Sequence, residues 1–206
     1  MRRDAQANRD RIVAAARDAF ADEGIDVPVE EIARRAGVGM GTLYRHFAAK
    51  EDLIDAVFAE SIGKFVEAAQ EALVVEDAWA GFCGFLERAL VLHFENSGLK
   101  DVVVTRAHGR ARLEEARAQM RPLVRELVER AQAQGTLRAD FSPTDVSMLF
   151  WTGARVIEAT ASVAPGAWRR YLGMQLDGLR AEAATPLPHP PLTQAQVDKA
   201  SVRKPR

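Results

Sequence analysis

The sequence predicts an all-α chain, and three observations carry that prediction. Apolar residues recur at helical spacing through most of residues 9 to 183, alternating Val/Ile/Thr-rich runs are almost absent, and glycine, proline or serine marks each gap between the periodic pieces. The pieces group into a small N-terminal three-helix unit, residues 1–50, a connector helix over 51–76, a larger helical domain over 77–185 and a disordered tail over 186–206.

Taken in order, Arg9 to Glu23 sets Ile12, Ala16, Ala19 and Phe20 on one face, and Gly24 ends the pattern. Val29 to Ala36 turns Ile32, Ala33 and Ala36 inward over about two turns, with Pro28 ahead of it and Gly37 after it. Met40 to Phe47 is a second short helix beyond the turn Gly37-Val38-Gly39. Lys50 to about Leu73 is longer, with Leu53, Ile54, Val57, Phe58, Ile62 and Phe65 as its stripe. The larger domain follows as Ala78 to Glu95, Leu99 to Ala107, Arg110 to Gln134, Pro143 to Ser162 and Ala167 to Ala183. Pro122 is expected to kink or break the third of these one turn upstream. From Pro186 the composition changes to PLPHPP and then a polar, basic end, which reads as disordered.

Composition narrows the function classes. The 206 residues carry 28 Lys+Arg against 29 Asp+Glu, so whole-chain charge is uninformative. No apolar run reaches the ~18 residues of a membrane span and no signal peptide leads the chain, so no membrane partner is expected. The single cysteine, Cys83, excludes an intrachain disulfide and points to the cytoplasm. His93, His108 and Cys83 lack metal-ligand spacing, and no Ser/His/Asp or paired-carboxylate arrangement stands out; neither a metal, a cofactor nor an enzymatic activity is expected. Gly37-Val38-Gly39-Met40-Gly41 is not a phosphate cradle, because its third glycine is misplaced and no strand precedes it.

Charge distribution says more. Two short helices across a glycine turn, with a helix ahead of them, form the plan in which the second helix enters the DNA major groove. From Arg34 to Lys50 there are four cations (Arg34, Arg35, Arg45, Lys50) and no carboxylate, and Arg2, Arg3, Arg9, Arg11 and Arg17 lie upstream. Residues 51 to 185 hold 15 cations against 20 carboxylates, so basic character gathers at the N-terminal end, where a phosphate backbone would select it.

Val29-Glu30-Glu31-Ile32-Ala33-Arg34-Arg35-Ala36-Gly37-Val38-Gly39-Met40-Gly41-Thr42-Leu43-Tyr44-Arg45-His46-Phe47, followed by Lys50-Glu51-Asp52-Leu53, closely resembles the DNA-binding domain of the TetR family of bacterial transcriptional regulators. The resemblance is strong over about residues 9 to 60. From Pro143 through Arg155-Val156-Ile157-Glu158 to Trp168-Arg169-Arg170-Tyr171 and Asp177-Gly178-Leu179-Arg180 the chain more weakly resembles one ligand-domain subfamily. The resemblance implies an all-helical homodimer that binds a double-stranded DNA operator and an unidentified small-molecule effector, most often as a repressor released by that effector; the alternatives are a helical DNA-binding or adaptor protein with no small-molecule response, or a small-molecule carrier. It implies that Gly39, Met40, Gly41, Thr42, Tyr44, Arg45, His46 and Lys50 form the DNA-binding surface, with Tyr44 and Lys50 on phosphates. Leu43 and Phe47 belong to packing. Where the family commonly has Ser or Thr before the second, third and fourth helices, this chain has Pro28, Gly39 and Ala49, so a soft DNA-binding head is expected.

In the larger domain the aromatic and long apolar residues exceed what one helix pair would bury. Phe82, Phe85, Leu86, His93, Met120, Phe150, Trp151 and Arg155 are the candidate effector-binding set, competing with plain core packing and, for Arg155, with an intrahelical pair to Glu158. Ala154, Ile157, Ala161, Leu172, Leu176 and Leu179 form small-and-leucine stripes that suit either a dimeric four-helix contact or burial within one subunit.

Overall fold

The computed structural model describes residues 2–95 and 107–201, which form nine α-helices. These are α1 (Arg2–Glu23), α2 (Val29–Ala36), α3 (Met40–His46), α4 (Lys50–Leu73), α5 (Ala78–Glu95), α6 (Ala107–Ala133), α7 (Asp145–Thr160), α8 (Trp168–Asp177) and α9 (Gln194–Ser201), with a 3-10 turn at Ala181–Ala183. The chain forms two compact units: one holds the residues up to Lys64 together with Glu95 and the start of α6, the other Phe65–Phe94 and the chain from Glu115 onward. The expected helix from Leu99 falls, up to residue 106, outside the described residues.

The first unit is built on one small core. α1 supplies Ile12, Val13, Ala16, Ala19 and Phe20, α2 supplies Ile32, Ala33 and Ala36, α3 supplies Leu43, and Phe47, Leu53, Ile54 and Val57 close it. α2 stops where the sequence demands. Gly37 takes the left-handed conformation (φ 65°, ψ 35°), its N–H donates to the Arg34 carbonyl at 3.2 Å, and the Val38 N–H donates to the Ala33 carbonyl at 3.1 Å. This paired C-terminal cap turns the chain within three residues into α3.

The second unit packs α5 against the end of α4 and against α6. Phe82, Leu86 and Leu92 are wholly buried with Leu127, Val128, Ala131 and Leu137. A Cβ at Gly81 would stand 2.4 Å from the Ala72 carbonyl oxygen, so glycine there permits the close α4–α5 corner. Side chains at the end of α6 staple backbone. Arg130 donates to the Leu73 and Val75 carbonyls, the Gln134 amide donates to the Glu76 carbonyl at 2.9 Å and accepts the Ala78 N–H at 2.9 Å, and Gln132 donates to the Phe141 carbonyl at 2.8 Å. A second small cluster joins Leu90 to Ala154, Ile157, Trp168 and Leu172.

Four sequence expectations are corrected. α1 begins at Arg2 rather than Arg9. α6 runs unbroken through Pro122; the proline removes one N–H donor, and burial of Leu127, Val128 and Ala131 on the next turns offsets that loss. α8 ends at Asp177 rather than near Ala183, because the chain turns to pair with residues 136–138: the Arg138 N–H donates to the Leu179 carbonyl at 3.0 Å and the Ala181 N–H to the Thr136 carbonyl at 3.1 Å. The tail is not irregular throughout. Thr193 Oγ1 accepts the Gln196 N–H at 3.3 Å while Gln196 Oε1 accepts the Thr193 N–H at 2.8 Å, a complete capping box that starts α9. Val197 is buried and Arg121 pairs with Asp198 at 3.3 Å.

Candidate nucleic-acid interface

α3 is amphipathic over barely two turns. Met40, Leu43 and Phe47 stand at i, i+3 and i+7, which sends all three inward: Leu43 and Phe47 are buried and Met40 packs half-buried against the same core. The opposite face is open. Gly41, Tyr44 and Arg45 are exposed, Tyr44 at 49%, with Thr42 half-buried beside them. A Cβ added at Gly39 or Gly41 would meet nothing within 4 Å, so the backbone at the start of α3 is free to be approached closely. Arg45 makes no ion pair or hydrogen bond among the described residues, and its five donors are available to an acceptor outside the chain.

The predicted surface residues do not all gather on this face. Gly39, Gly41, Thr42, Tyr44 and Arg45 do. Met40 does not, for the spacing reason just given. His46 is half-buried, its ring centroid 6.5 Å from that of Phe47, and its Nε2 is covered and has no hydrogen-bond partner among the described residues. Lys50, at the start of α4, reaches back to donate from Nζ to the Val27 carbonyl at 2.5 Å. An ammonium has three donors, so this bond leaves two for a phosphate.

The arginines divide into two kinds. Arg34 grips Glu31 bidentately at 2.7 and 2.6 Å. Arg35 spends three nitrogens on three carboxylates: Nε on Glu31 at 2.9 Å, Nη1 on Asp22 at 2.7 Å and Nη2 on Glu23. Hydrogen bonds first from Arg34 and then from Arg35 hold the Glu31 carboxyl down at about 2, and the same contacts push the Arg35 guanidinium pKa upward. Arg17 is engaged by Glu60 at 3.0 Å and by Asp18. The basic stretch counted from Arg34 onward is thus partly neutralised by acids that precede it. Arg9 is the opposite case. Its guanidinium lies 5.4 Å from the Phe47 ring centroid, stacked beside the end of α3. The sequence shows Arg9 only as a charge, because nothing local announces a contact across 38 positions.

The candidate effector residues all lie in the second unit, mostly as packing. Phe82, Phe85 and Leu86 are buried core, with Phe82 edge-on to Phe141 at 5.8 Å. Met120 packs half-buried against that core. Phe150 meets both His93, at 4.8 Å between centroids, and Phe65, at 6.5 Å, so these three rings form one group, and Trp151 is half-buried. Arg155 stands apart: it is exposed and pairs with Glu158 at 2.6 Å, the intrahelical alternative. A concavity of about 490 Å³ lies elsewhere, lined by Asp140, Asp145 and the segment Leu187–Leu192. Ala154, Ile157 and Leu172 are buried within the subunit against Leu90 and Trp168. Burial pushes the Cys83 thiol up to about 11, which keeps it protonated.

Two short helices across a glycine turn, the second with an uncovered backbone and free donors, define a helix-turn-helix protein that binds DNA to regulate transcription. The chain belongs to the tetR family of bacterial regulatory proteins, whose model matches residues 12–57, and residues 76–181 match the C-terminal domain of SbtR-like transcriptional regulators. It is not an enzyme. Among solved structures it is similar to a TetR transcription regulatory protein from Mycobacterium vanbaalenii, at 33% identity and TM-score 0.70 over 87% of this chain and 98% of that one. It is also similar to a TetR transcriptional regulator from Streptomyces coelicolor, at 28% identity and TM-score 0.62 over 84% of this chain and 98% of that one. An HTH-type transcriptional regulator of Staphylococcus aureus is 43% identical over 67 residues, 32% of this chain and 36% of the relative. The match thus spans about a third of that relative's length. No helix among the described residues is long and apolar enough to cross a membrane.

Proposed function

We propose that the protein is a cytoplasmic, homodimeric repressor that leaves its operator when a small-molecule effector binds the second unit. The observation that carries the DNA half of this reading is the open outer face of α3, with Tyr44 and Arg45 exposed beside a backbone uncovered at Gly39 and Gly41. Tyr44 offers a hydroxyl on a rigid ring to a phosphate, Arg45 a planar fork to a phosphate or a guanine edge, and Lys50 the donors left over from Val27. Thr42 stands at the rim. Two such heads on a symmetric dimer would meet half-sites about 34–36 Å apart on a near-palindromic duplex.

The effector half rests on the group His93, Phe150 and Phe65, with Trp151 and Met120 nearby in sequence or packing, which suits an apolar or aromatic molecule. An effector shifts the dimer away from its DNA-competent conformer by no more than its differential affinity for the two. The test is fluorescence anisotropy against a duplex that the wild-type protein selects from a random pool, repeated across a library of small apolar molecules. Specific binding relieved by one library member supports the reading, and tight selected binding that no member relieves, with no protection of Phe150 or Trp151, sinks its effector half.

A further inference from the structure

Arg35 has an unusual set of contacts for a cation in a DNA-binding head. Its three partners come from two elements, Asp22 and Glu23 at the end of α1 and Glu31 within α2. The two α1 carboxylates sit in a last turn that has no basic residue, where the helix dipole is already negative. Arg34, Arg35, Asp22, Glu23 and Glu31 together carry a net negative charge, so this corner repels a phosphate backbone rather than attracting it.

Geometry gives the corner a different task. α2 has eight residues and no side-chain cap at Pro28, too short to hold its place by intrinsic helicity. Its buried face is Ile32, Ala33 and Ala36, and two of those three are alanines, whose contacts are non-directional and permit sliding. The Arg35 fork is directional, with three N–H donors fixed in one plane. α3 follows α2 after three residues and starts at Met40, with Gly39 in the N-cap position and again no side-chain cap, so its orientation is inherited from the end of α2.

We propose that Arg35 is a positioning residue for DNA recognition: by clamping the end of α1 to α2 it fixes the direction in which α3 presents Tyr44 and Arg45, and it makes no phosphate contact itself. The inference rests on α3 being the DNA-reading helix. It differs from the electrostatic role that the same arginine would be given from charge counting.

The experiment compares full-length wild type, Arg35→Ala, Arg35→Lys, Glu31→Gln and Arg45→Ala, each binding the selected duplex and a random duplex of equal length over a salt series. Arg35→Ala is expected to lose at least about tenfold in affinity for the selected duplex while its affinity for the random duplex and its salt slope stay put. Arg35→Lys, which serves fewer carboxylates, recovers part of the loss. Glu31→Gln also weakens selected binding, although deleting a negative charge would by itself favour DNA. Arg45→Ala is the contrast, lowering binding to both duplexes and flattening the salt slope by about 0.9. A slope for Arg35→Ala that falls like that of Arg45→Ala, a Glu31→Gln that binds more tightly, or no change in either would overturn the proposal. If Arg35→Ala loses helix content by circular dichroism, Glu31→Gln and Arg35→Lys decide. A wild-type protein that enriches no duplex from the pool defeats the DNA-reading role first, and the proposal with it.

Discussion

The contacts inside the two units differ in kind. In the first, side chains grip side chains: Arg35 with Asp22, Glu23 and Glu31, Arg34 with Glu31, Arg17 with Glu60. In the second, many side chains grip backbone: Arg130, Gln132 and Gln134 at the end of α6 take seven carbonyl or N–H groups among the described residues, and buried Arg138 donates to the Gly178 and Thr185 carbonyls as well as to Asp140. Capping does not divide the same way. Asp77 accepts the Trp79 and Ala80 N–H groups at 3.0 Å to start α5, and Thr193 caps α9, but α7 and α8 of the second unit have no side-chain cap, as α2 and α3 of the first have none. Exposed ion pairs such as those of Arg35 respond to salt, acid and an anionic partner, whereas the bonds from Arg130 and Arg138 to backbone carbonyls do not titrate.

The largest effect should come from the second unit's core. Phe82 is completely buried between Trp79 and Phe141, and Phe82→Ala should cost about 3–5 kcal/mol through lost transfer energy and the cavity left behind. All three tryptophans, Trp79, Trp151 and Trp168, belong to this unit, so urea unfolding followed by tryptophan fluorescence measures it directly. A loss under about 1 kcal/mol would mean that this core is already loosely packed. Gly81→Ala tests the same packing from the other direction, since its Cβ would meet the Ala72 carbonyl, and should cost about 1–3 kcal/mol.

Next in size are the losses on DNA. Tyr44→Phe removes only a hydroxyl from a ring that no core contact needs, and should weaken selected binding by about 0.5–1.5 kcal/mol without altering stability. Lys50→Ala should do more: it flattens the salt slope by about one unit and also frees the Val27 carbonyl, so exchange of the amides around Pro28 should quicken in the free protein. An unchanged exchange pattern would leave Lys50 as a phosphate ligand alone.

Acid should separate the units. Glu31 is held at about 2 in the folded chain against an ordinary value of 4.5, so its share of stability is complete above pH 4.5 and is lost as pH falls from there towards 2. Asp140 is also held low, by Arg138, yet the carbonyl bonds of Arg138 do not titrate. Lowering the pH from 5 to 2.5 should therefore reduce amide protection factors, with the intrinsic exchange rate divided out, in α2 and α3 before tryptophan fluorescence changes. Simultaneous change would put the two units in one cooperative transition.

Much of this was legible in the sequence, and the reasons for what was not are physical. Helical spacing and glycine stops placed α2 and α4 to α5 at their observed ends, and the ungapped run from Val29 to Phe47 named the family. The same spacing held the inward turn of Met40, at i−3 from Leu43, but the surface motif drew it into the predicted interface. The clamp of Arg35 onto α1 was not readable, because Asp22 and Glu23 come 13 and 12 positions earlier and local pattern reports neighbours within one turn. The capping box Thr193-Gln194-Ala195-Gln196 was present and obscured by the prolines before it. That the candidate effector residues Phe82, Phe85 and Leu86 are interior packing follows from three-dimensional burial, which an apolar letter does not encode.

The smallest expected effect is the sharpest test of whether absent caps loosen the first unit. Gly39 has φ −73° and ψ 154°, the extended geometry of a helix N-cap, and open space where a side chain would stand. A serine there could accept an N–H from the start of α3 at no steric cost, yet glycine is itself a fair cap, so Gly39→Ser should add only a few tenths of a kcal/mol. Ala49→Ser should add more, about 0.5–1 kcal/mol, because alanine is a poor cap; Asp52 already accepts the Ala49 N–H at 3.0 Å, and the serine would supply the missing half of that box. The double substitution should slow amide exchange through α3 and the first turn of α4 while leaving urea unfolding by tryptophan fluorescence where it was. If exchange does not slow, absent caps are not what loosens the head, and the ion clamps at Arg35 carry that property alone.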